Sequence, residues 1–352
     1  MNLDLLIRAD ATEDTGWGHV MRCLALAQRW QEKGGRATFV ISEDSSAIKP
    51  RLVSEGVEVL SLFSVKKGKG EDEDARETAK IAHEKGASWV CADGYQFDGQ
   101  FQKIIRDSHL NLLFIDDYGH AEHYYANRVL NQNIHAHERL YSNRESYTEL
   151  LLGTSYVLLR HEFSKWGGWS RSIAEKANKI LVTLGGRDPL NVTSKVIDAL
   201  GQVQNRSLDV RVVLGESNPC FAEVREKIQG FPFSIRLESK NPDMAELMAW
   251  ADVAISAGGS TCWELAFMGL PSLMIILSDN QHPIVEGLGR AGIGINLGQY
   301  ETLSISKMME NLDVLMNNQA LRIGMSERGR KLVDGKGAAR VAEILLKEKI
   351  LK

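Results

Sequence analysis

Three glycine-rich loops, each leaving a short apolar run, carry the residues best suited to chemistry. The first is Asp14 to Cys23 (DTGWGHVMRC). Gly16 and Gly18 permit positive φ and close backbone approach, and His19 falls near the start of a helix, where free N–H groups and the dipole favour an anion. A histidine titrates close to neutral pH and can take a proton from water when a carboxylate orients it. Asp10 and Asp14 are both near enough in sequence to do so, and spacing does not choose between them. A helix-capping role for His19 is the alternative reading.

The second loop runs from Gly185 and Gly186 through Arg187, Asp188 and Pro189 to Thr193. Its two glycines suit a pyrophosphate, and Asn191 or Thr193 can cap the helix that follows. An ordinary strand-to-helix turn would look the same. The third loop, Ser256 to Glu264 (SAGGSTCWE), is the sharpest of the three. Backbone N–H groups at Gly258 and Gly259, with the Ser260 and Thr261 hydroxyls, can cradle a diphosphate, and Glu264 can accept hydrogen bonds from ribose hydroxyls. Thr261 and Glu264 also fit the spacing of a capping box. Farther on, Ser278 to His282, including Asn280 and Gln281, offers amides and a carboxylate for sugar hydroxyls or acetamido groups.

The elements that must position these loops alternate along the chain. Strands are expected over 3–8, 37–42, 57–60, 89–93, 112–116 and 128–131, and again over 179–184, 210–214, 234–237, 252–256, 272–277 and 294–297, with helices between them. The helix from His19 to Lys33 is the clearest, because Val20, Leu24, Ala27 and Trp30 recur at helical steps before Gly34 and Gly35 end it. This alternation predicts α/β architecture: two Rossmann-like, doubly wound domains facing across a cleft. Residues 1–162 form the first, 163–177 a linker, and 178–336 the second, while an amphipathic helix at 337–352 is free to cross back onto the first. A length of 352 residues suits that division, at about 150 residues per domain.

Composition narrows the function. Hydrophobic residues make up 43% and charged residues 25%, values of an ordinary globular chain. The formal net charge is -4, and no basic tract suits nucleic acid. The run Lys66 to Asp74 (KKGKGEDED) reads as a solvated loop. Cys23, Cys91, Cys220 and Cys262 form no C-x-x-C pair, so neither a zinc site nor a disulfide framework is signalled. Met1 to Ile7 lacks the pattern of a signal peptide, and no apolar run approaches the roughly 20 residues of a membrane span. A cytoplasmic protein is expected, with a small-molecule substrate, no nucleic acid partner, no membrane insertion, and a monomeric or weakly oligomeric state. The Rossmann fingerprint and the Gly-Lys-Ser/Thr phosphate loop are both missing, which disfavours dinucleotides and ATP.

Taken together, these motifs resemble the nucleotide-sugar hydrolases of pseudaminic acid biosynthesis, relatives of the MurG-type glycosyltransferases with the GT-B fold. The resemblance spans most of the chain. It rests on Ile7 to Asp10 followed by GWGHVMRCLALA, Ala92 to Tyr95, Ile115 to Asp117, Leu130 to Asn133, Leu152-Gly153 with Tyr156, Leu159-Arg160 and Phe163, GGRDPLNVT, SAGGSTCWELAFMGLP, and Asp279 to Gln281. Trp17 and Arg187 depart from the family pattern. The resemblance implies hydrolysis of UDP-2,4-diacetamido-2,4,6-trideoxy-β-L-altropyranose with inversion at the anomeric carbon. It places the catalytic base at His19, sugar contacts at Tyr95 and Asn280, and the nucleotide site at Gly258, Gly259, Ser260, Thr261 and Glu264. The implied scheme uses no metal and no cofactor. A glycosyltransferase with an alcohol acceptor, and a non-catalytic nucleotide-sugar binding subunit, are the rival expectations.

Overall fold

A computed structural model of the chain describes residues 3–12, 16–62, 71–185, 188–203, 207–216, 218–239 and 242–350. The chain divides into two compact units, Met1–His161 with Gly335–Lys352, and Glu162–Asp334.

In the first unit the strands are β1 (Asp4–Ala9), β2 (Arg36–Ser42), β3 (Glu58–Leu62), β4 (Trp89–Asp93), β5 (Asn111–Ile115), β6 (Arg128–Asn131) and β7 (Glu149–Leu152). They form one sheet in the order β3-β2-β1-β4-β5-β6-β7, and every named pair is parallel. Strands β1 and β4 are buried along their whole length. Their apolar residues, Leu5 to Ile7 and Trp89 to Ala92, therefore run consecutively, as in strands covered on both faces, with Asp4, Arg8 and Asp93 as the buried charged exceptions. The helices are α1 (Gly18–Glu32), α2 (Lys49–Ser54), α3 (Glu71–Lys85), α4 (Gly99–Asp107) and, from the end of the chain, α12 (Gly337–Ile350). Leu5, Ile7 and Ala9 point to the face covered by α1 and α12, packing with Val20, Leu24, Val341 and Leu345. Leu6, Val90 and Phe114 point to the other face, with Ala75 and Ala79 of α3 and Phe101 of α4. Trp89 ties α12 down by donating its indole N–H to the Leu345 carbonyl at 3.0 Å.

The second unit has β8 (Lys179–Thr183), β9 (Asp209–Val213), β10 (Ser234–Glu238), β11 (Val253–Ala257), β12 (Ser272–Ile276) and β13 (Gly294–Gln299) in the parallel order β10-β9-β8-β11-β12-β13. Its helices are α5 (Val192–Leu200), α6 (Phe221–Lys227), α7 (Met244–Trp250), α8 (Thr261–Met268), α9 (His282–Arg290), α10 (Ile305–Asn317) and α11 (Gln319–Leu332). The segment Glu162 to Ala177 is folded onto this unit. Arg171 donates to the carbonyls of Ala251, Met248 and Met268, and Arg322 donates to those of Ala174 and Glu175.

Two differences from the sequence expectations have plain causes. Strand β7 was not anticipated, because it has only four residues at a sheet edge and carries no alternation. The end of the charge run at 66–74 is not a solvated loop: Glu71–Asp74 begins α3, and Asp74 is buried against Arg8 of β1, which donates to it at 2.7 and 2.9 Å. The part of that run before Glu71 lies outside the described residues.

Arg8 also pairs with Asp10 at 2.7 Å, so one guanidinium balances two buried carboxylates. Removing one member of a buried ion pair leaves an uncompensated charge and typically costs about 3–5 kcal/mol. Arg8→Met is therefore expected to lower the urea midpoint of the first unit's transition strongly. An unchanged midpoint would show that the cluster contributes nothing to stability.

Candidate active site

In both sheets the strand order reverses at one point, between β1 and β4 in the first unit and between β8 and β11 in the second. Ligands of open α/β sheets bind beyond the carboxyl ends of strands at such a switch point. The His19 loop leaves β1, the Gly185 loop leaves β8 and the Gly258 loop leaves β11, so all three motifs stand at a switch point.

His19 is in the first turn of α1. Gly16, at φ +66°, makes the turn into that helix, in a conformation that side chains disfavour. The N-cap of α1 is Trp17, with no side-chain cap, so His19 does not cap the helix. Its Nδ1 lies 2.7 Å from Oδ1 of Asp93, the last residue of β4. Main-chain pairing sets Asp93 level with Ala9 at the end of β1, which brings the carboxylate beside the start of α1. A carboxylate only accepts hydrogen bonds, so Nδ1 is the donor in this contact, and in the neutral ring Nε2 is the nitrogen with the free lone pair. The result is a histidine oriented by a buried aspartate, the pairing that serves general bases elsewhere.

Arg22, one helical turn after His19, anchors the aspartate. It donates to Asp93 at 2.6 and 2.7 Å and to Asp117, just past β5, at 2.7 and 3.1 Å. Its Nη2 also stands 3.3 Å from His19 Nδ1. With Nδ1 donating to Asp93, this approach is not a hydrogen bond. Asp93 is fully buried, and His19, Arg22 and Asp117 nearly so. Burial raises both carboxyl groups, but Arg22 and His19 outweigh it and hold each below the usual carboxylate range, Asp117 well below. Tyr95 donates its hydroxyl to Asp117 at 2.8 Å and Asn133 donates its amide at 2.8 Å, while the His135 ring bonds the Asp117 carbonyl at 2.9 Å. Tyr95 also meets the His19 ring edge-on, with centroids 4.8 Å apart. Tyr118 and His120 stand behind it at 5.4 and 5.9 Å.

Asp10 does not orient His19. Its carboxylate is engaged by Arg8, by the Ser42 N–H and by Gln96. Asp14 lies outside the described residues, as do Gly186 and Arg187. The structure thus unites His19 with Tyr95 and adds Arg22, Asp93, Asp117 and Asn133, which motif reading left without a role. An acidic residue ending an apolar strand, as Asp93 ends β4, is the signal that points to them.

In the second unit Gly185 takes φ +93°, and the turn continues through Asp188 and Asn191, both with positive φ. Neither Asn191 nor Thr193 caps α5. The Asp188 carboxylate does so, accepting from the N–H groups of Val192 at 3.0 Å and Thr193 at 2.7 Å. Those two N–H groups are therefore not available to a phosphate. The Gly258 loop is arranged differently. Gly258 donates to the Ile275 carbonyl at 3.0 Å and to Gln281 Oε1 at 3.1 Å, and Leu277 donates to the same Gln281 oxygen at 3.0 Å. Gln281 thus clamps the loop between β11 and β12. A Cβ at Gly258 would lie 2.3 Å from Val285 Cγ2, so only glycine fits. The helix α8 begins at Thr261, with Ser260 as N-cap and no side-chain cap, so the capping box expected from Thr261 and Glu264 does not form. The N–H groups of Gly259, Ser260 and Thr261 precede the helical ladder and have no acceptor among the described residues, as an anion site requires. Glu264 stands in the first turn of α8. Asn280 follows β12 and accepts from the Ser278 hydroxyl at 2.6 Å.

These sheets and their connections make two Rossmann-like α/β units, the fold of GT-B glycosyltransferases such as MurG. MurG of Acinetobacter baumannii shares it with a TM-score of 0.68 at 15% identity, over 99% of this chain and 100% of that one. A UDP-GlcNAc 2-epimerase from Neisseria meningitidis, solved with UDP-GlcNAc bound, does so with a TM-score of 0.65 at 13% identity, over 99% and 100%. Within the second unit and the start of α12, residues 179–340 match the glycosyltransferase family 28 C-terminal domain. The chain is also 28% identical over 341 residues to the spore coat polysaccharide biosynthesis protein SpsG of Bacillus subtilis, covering 96% of each. None of the described helices is long and apolar enough to cross a membrane.

The depressed carboxyl groups carry a pH signature. A group titrating lower in the folded than in the unfolded chain stabilises the fold fully above its unfolded value, about 3.9 for aspartate, and loses that contribution as pH falls toward the folded value. Asp117→Asn is therefore expected to be less stable than wild type at pH 7 by a gap that narrows below about pH 4. Denaturant midpoints taken across pH 3–7 check this, and a constant gap would contradict it.

Proposed function

We propose that the protein is a nucleotide-sugar hydrolase, acting on UDP-2,4-diacetamido-2,4,6-trideoxy-β-L-altropyranose by attack of water on the anomeric carbon, with inversion and release of UDP and free sugar in pseudaminic acid biosynthesis. The observation that carries the reading is the His19–Asp93 pair, which leaves Nε2 as the proton acceptor at a strand switch point. His19 takes the proton of the attacking water, and Asp93 stabilises the imidazolium that forms. Help of this kind is typically worth about 10²- to 10⁴-fold.

The second unit has the role of holding UDP. The N–H groups of Gly259, Ser260 and Thr261 and the dipole of α8 face the diphosphate and stabilise the charge that develops as it leaves. Glu264 accepts from the ribose hydroxyls, and Gly185 and Gly186 give the phosphates backbone access. Gly258 and Gln281, assigned by motif to the substrate, act by shaping the loop. Tyr95 and Asn280 contact the sugar, and Gly16 and Gly18 let the backbone approach it. Support for a nucleotide-sugar substrate comes from the family 28 C-terminal domain and from the epimerase structure with UDP-GlcNAc. Those same glycosyltransferase relationships favour one rival, transfer of the sugar to an alcohol acceptor.

The test is incubation of the purified protein with the UDP-linked sugar in ¹⁸O-water. Label at C1 of the free sugar, with UDP unlabelled, is the expected outcome. Label in UDP, or UDP release only when an alcohol acceptor is added, overturns the reading. His19→Leu is expected to bind UDP normally and to turn over about 10²- to 10⁴-fold more slowly. Full activity in that variant removes His19 from the reaction.

A further inference from the structure

The charge balance around His19 assigns a role to Arg22. Within the described residues, the groups facing the ring come from three places. On α1 itself there are Arg22 and Cys23, whose thiol lies 3.4 Å from Asp93. The end of β4 contributes Asp93 and the edge of Tyr95. The turn after β5 contributes Asp117 through Arg22 and Tyr95. Burial pushes the Cys23 thiol well up, so it is neutral, and Tyr95 keeps its proton in donating to Asp117. His120 is one ring farther away, behind Tyr95. Among the described residues, the charges that bear on His19 are therefore two carboxylates and one guanidinium.

We propose that Arg22 is a positioning residue that keeps His19 unprotonated and ready to act as a base at neutral pH, by cancelling one of the two carboxylate charges packed around it. The proposal rests on the reading of His19 as the base. With Arg22 in place, the surroundings of the ring carry a single negative charge, enough to orient Nδ1–H. Without it, two negative charges favour the imidazolium, which cannot accept a proton from water. The bidentate geometry serves the same end. Arg22 occupies both Asp93 oxygens, so the carboxylate cannot rotate away from His19.

Titration of the His19 ring by NMR in the full chain tests this without any substrate. A full charge a few ångströms away shifts a titration by about one to two pH units. Arg22→Gln is expected to move protonation of the ring upward by that amount. Arg22→Lys, which keeps the charge, is expected to leave it near the wild-type position. In the double variant Arg22→Gln/Asp117→Asn one negative charge again remains, and the ring is expected to return toward wild type. A merely structural role for Arg22 predicts no such rescue. If Arg22→Gln does not fold, Asp117→Asn alone must shift the titration downward. An unshifted ring in Arg22→Gln, or in Asp117→Asn, overturns the proposal, as does a double variant that stays with the single one. The acid limb of kcat/KM should follow the same order. If the NMR shifts appear while hydrolysis proceeds without His19, the functional reading fails and the charge balance stands.

Discussion

Everything around His19 depends on one guanidinium bridging two buried carboxylates. Asp93 ends β4 and Asp117 stands in the turn after its parallel neighbour β5, and Asp93 has no solvent exposure. Two such charges without a counterion would not stay ionised at the buried carboxyl end of the central strands. Arg22 meets both with well-formed hydrogen bonds, and the remaining acceptors are met by Tyr95, Asn133 and the His19 ring. Because the cluster is satisfied on nearly every side, the histidine is held in one tautomer with little freedom to rotate. The same cluster links α1 to the strands β4 and β5, so the packing of the first unit and the orientation of His19, the proposed base, are one structural problem.

The second unit handles its loops by a different device. There one helix start is closed by a carboxylate of the chain and another is left open. Asp188 closes the amino end of α5 with its own carboxylate, while α8 starts with uncapped N–H groups on a loop braced by Gln281. Of two glycine-rich turns that look alike in sequence, only the one after β11 presents an open helix start. Bracing by the Gln281 side-chain amide fixes the shape of that loop, as the proposed diphosphate site requires. The chain's net charge of -4 gives no general attraction for an anion, so in the proposed function local dipoles supply it.

Much of this was legible in the sequence. The alternation of apolar runs and helical periods marked the α/β class and most strands, and α1 was clear because its apolar repeat is long and ends at paired glycines. The loop histidine was visible for the same reason, since G-x-G-H directly precedes that repeat. What was not legible was long-range. Arg22 and Asp93 are 71 residues apart, and their meeting requires the order of strands in the sheet, which no local pattern contains. Asp10 and Asp14 were equally open as partners of His19, yet Asp10 ends up on the side of Arg8, two residues before it, because successive residues along a strand alternate between faces. Asp74 was misread because its neighbours are charged, while its own burial is decided by Arg8 of β1. The start of α8 differed from the expected cap by one residue, a scale at which spacing alone does not discriminate, while α5 is capped from Asp188, three residues before Asn191, across a turn with positive φ that spacing does not reveal.

The central claim is that water, activated by His19, displaces UDP in one step. The most direct measurement of it is the anomeric configuration of the sugar at the moment of release, followed by proton NMR before the free sugar equilibrates. A single displacement predicts that the first-formed product has the configuration opposite to that of the UDP-linked substrate. Product released with the substrate's own configuration would require a covalent or double-displacement route and would contradict the account.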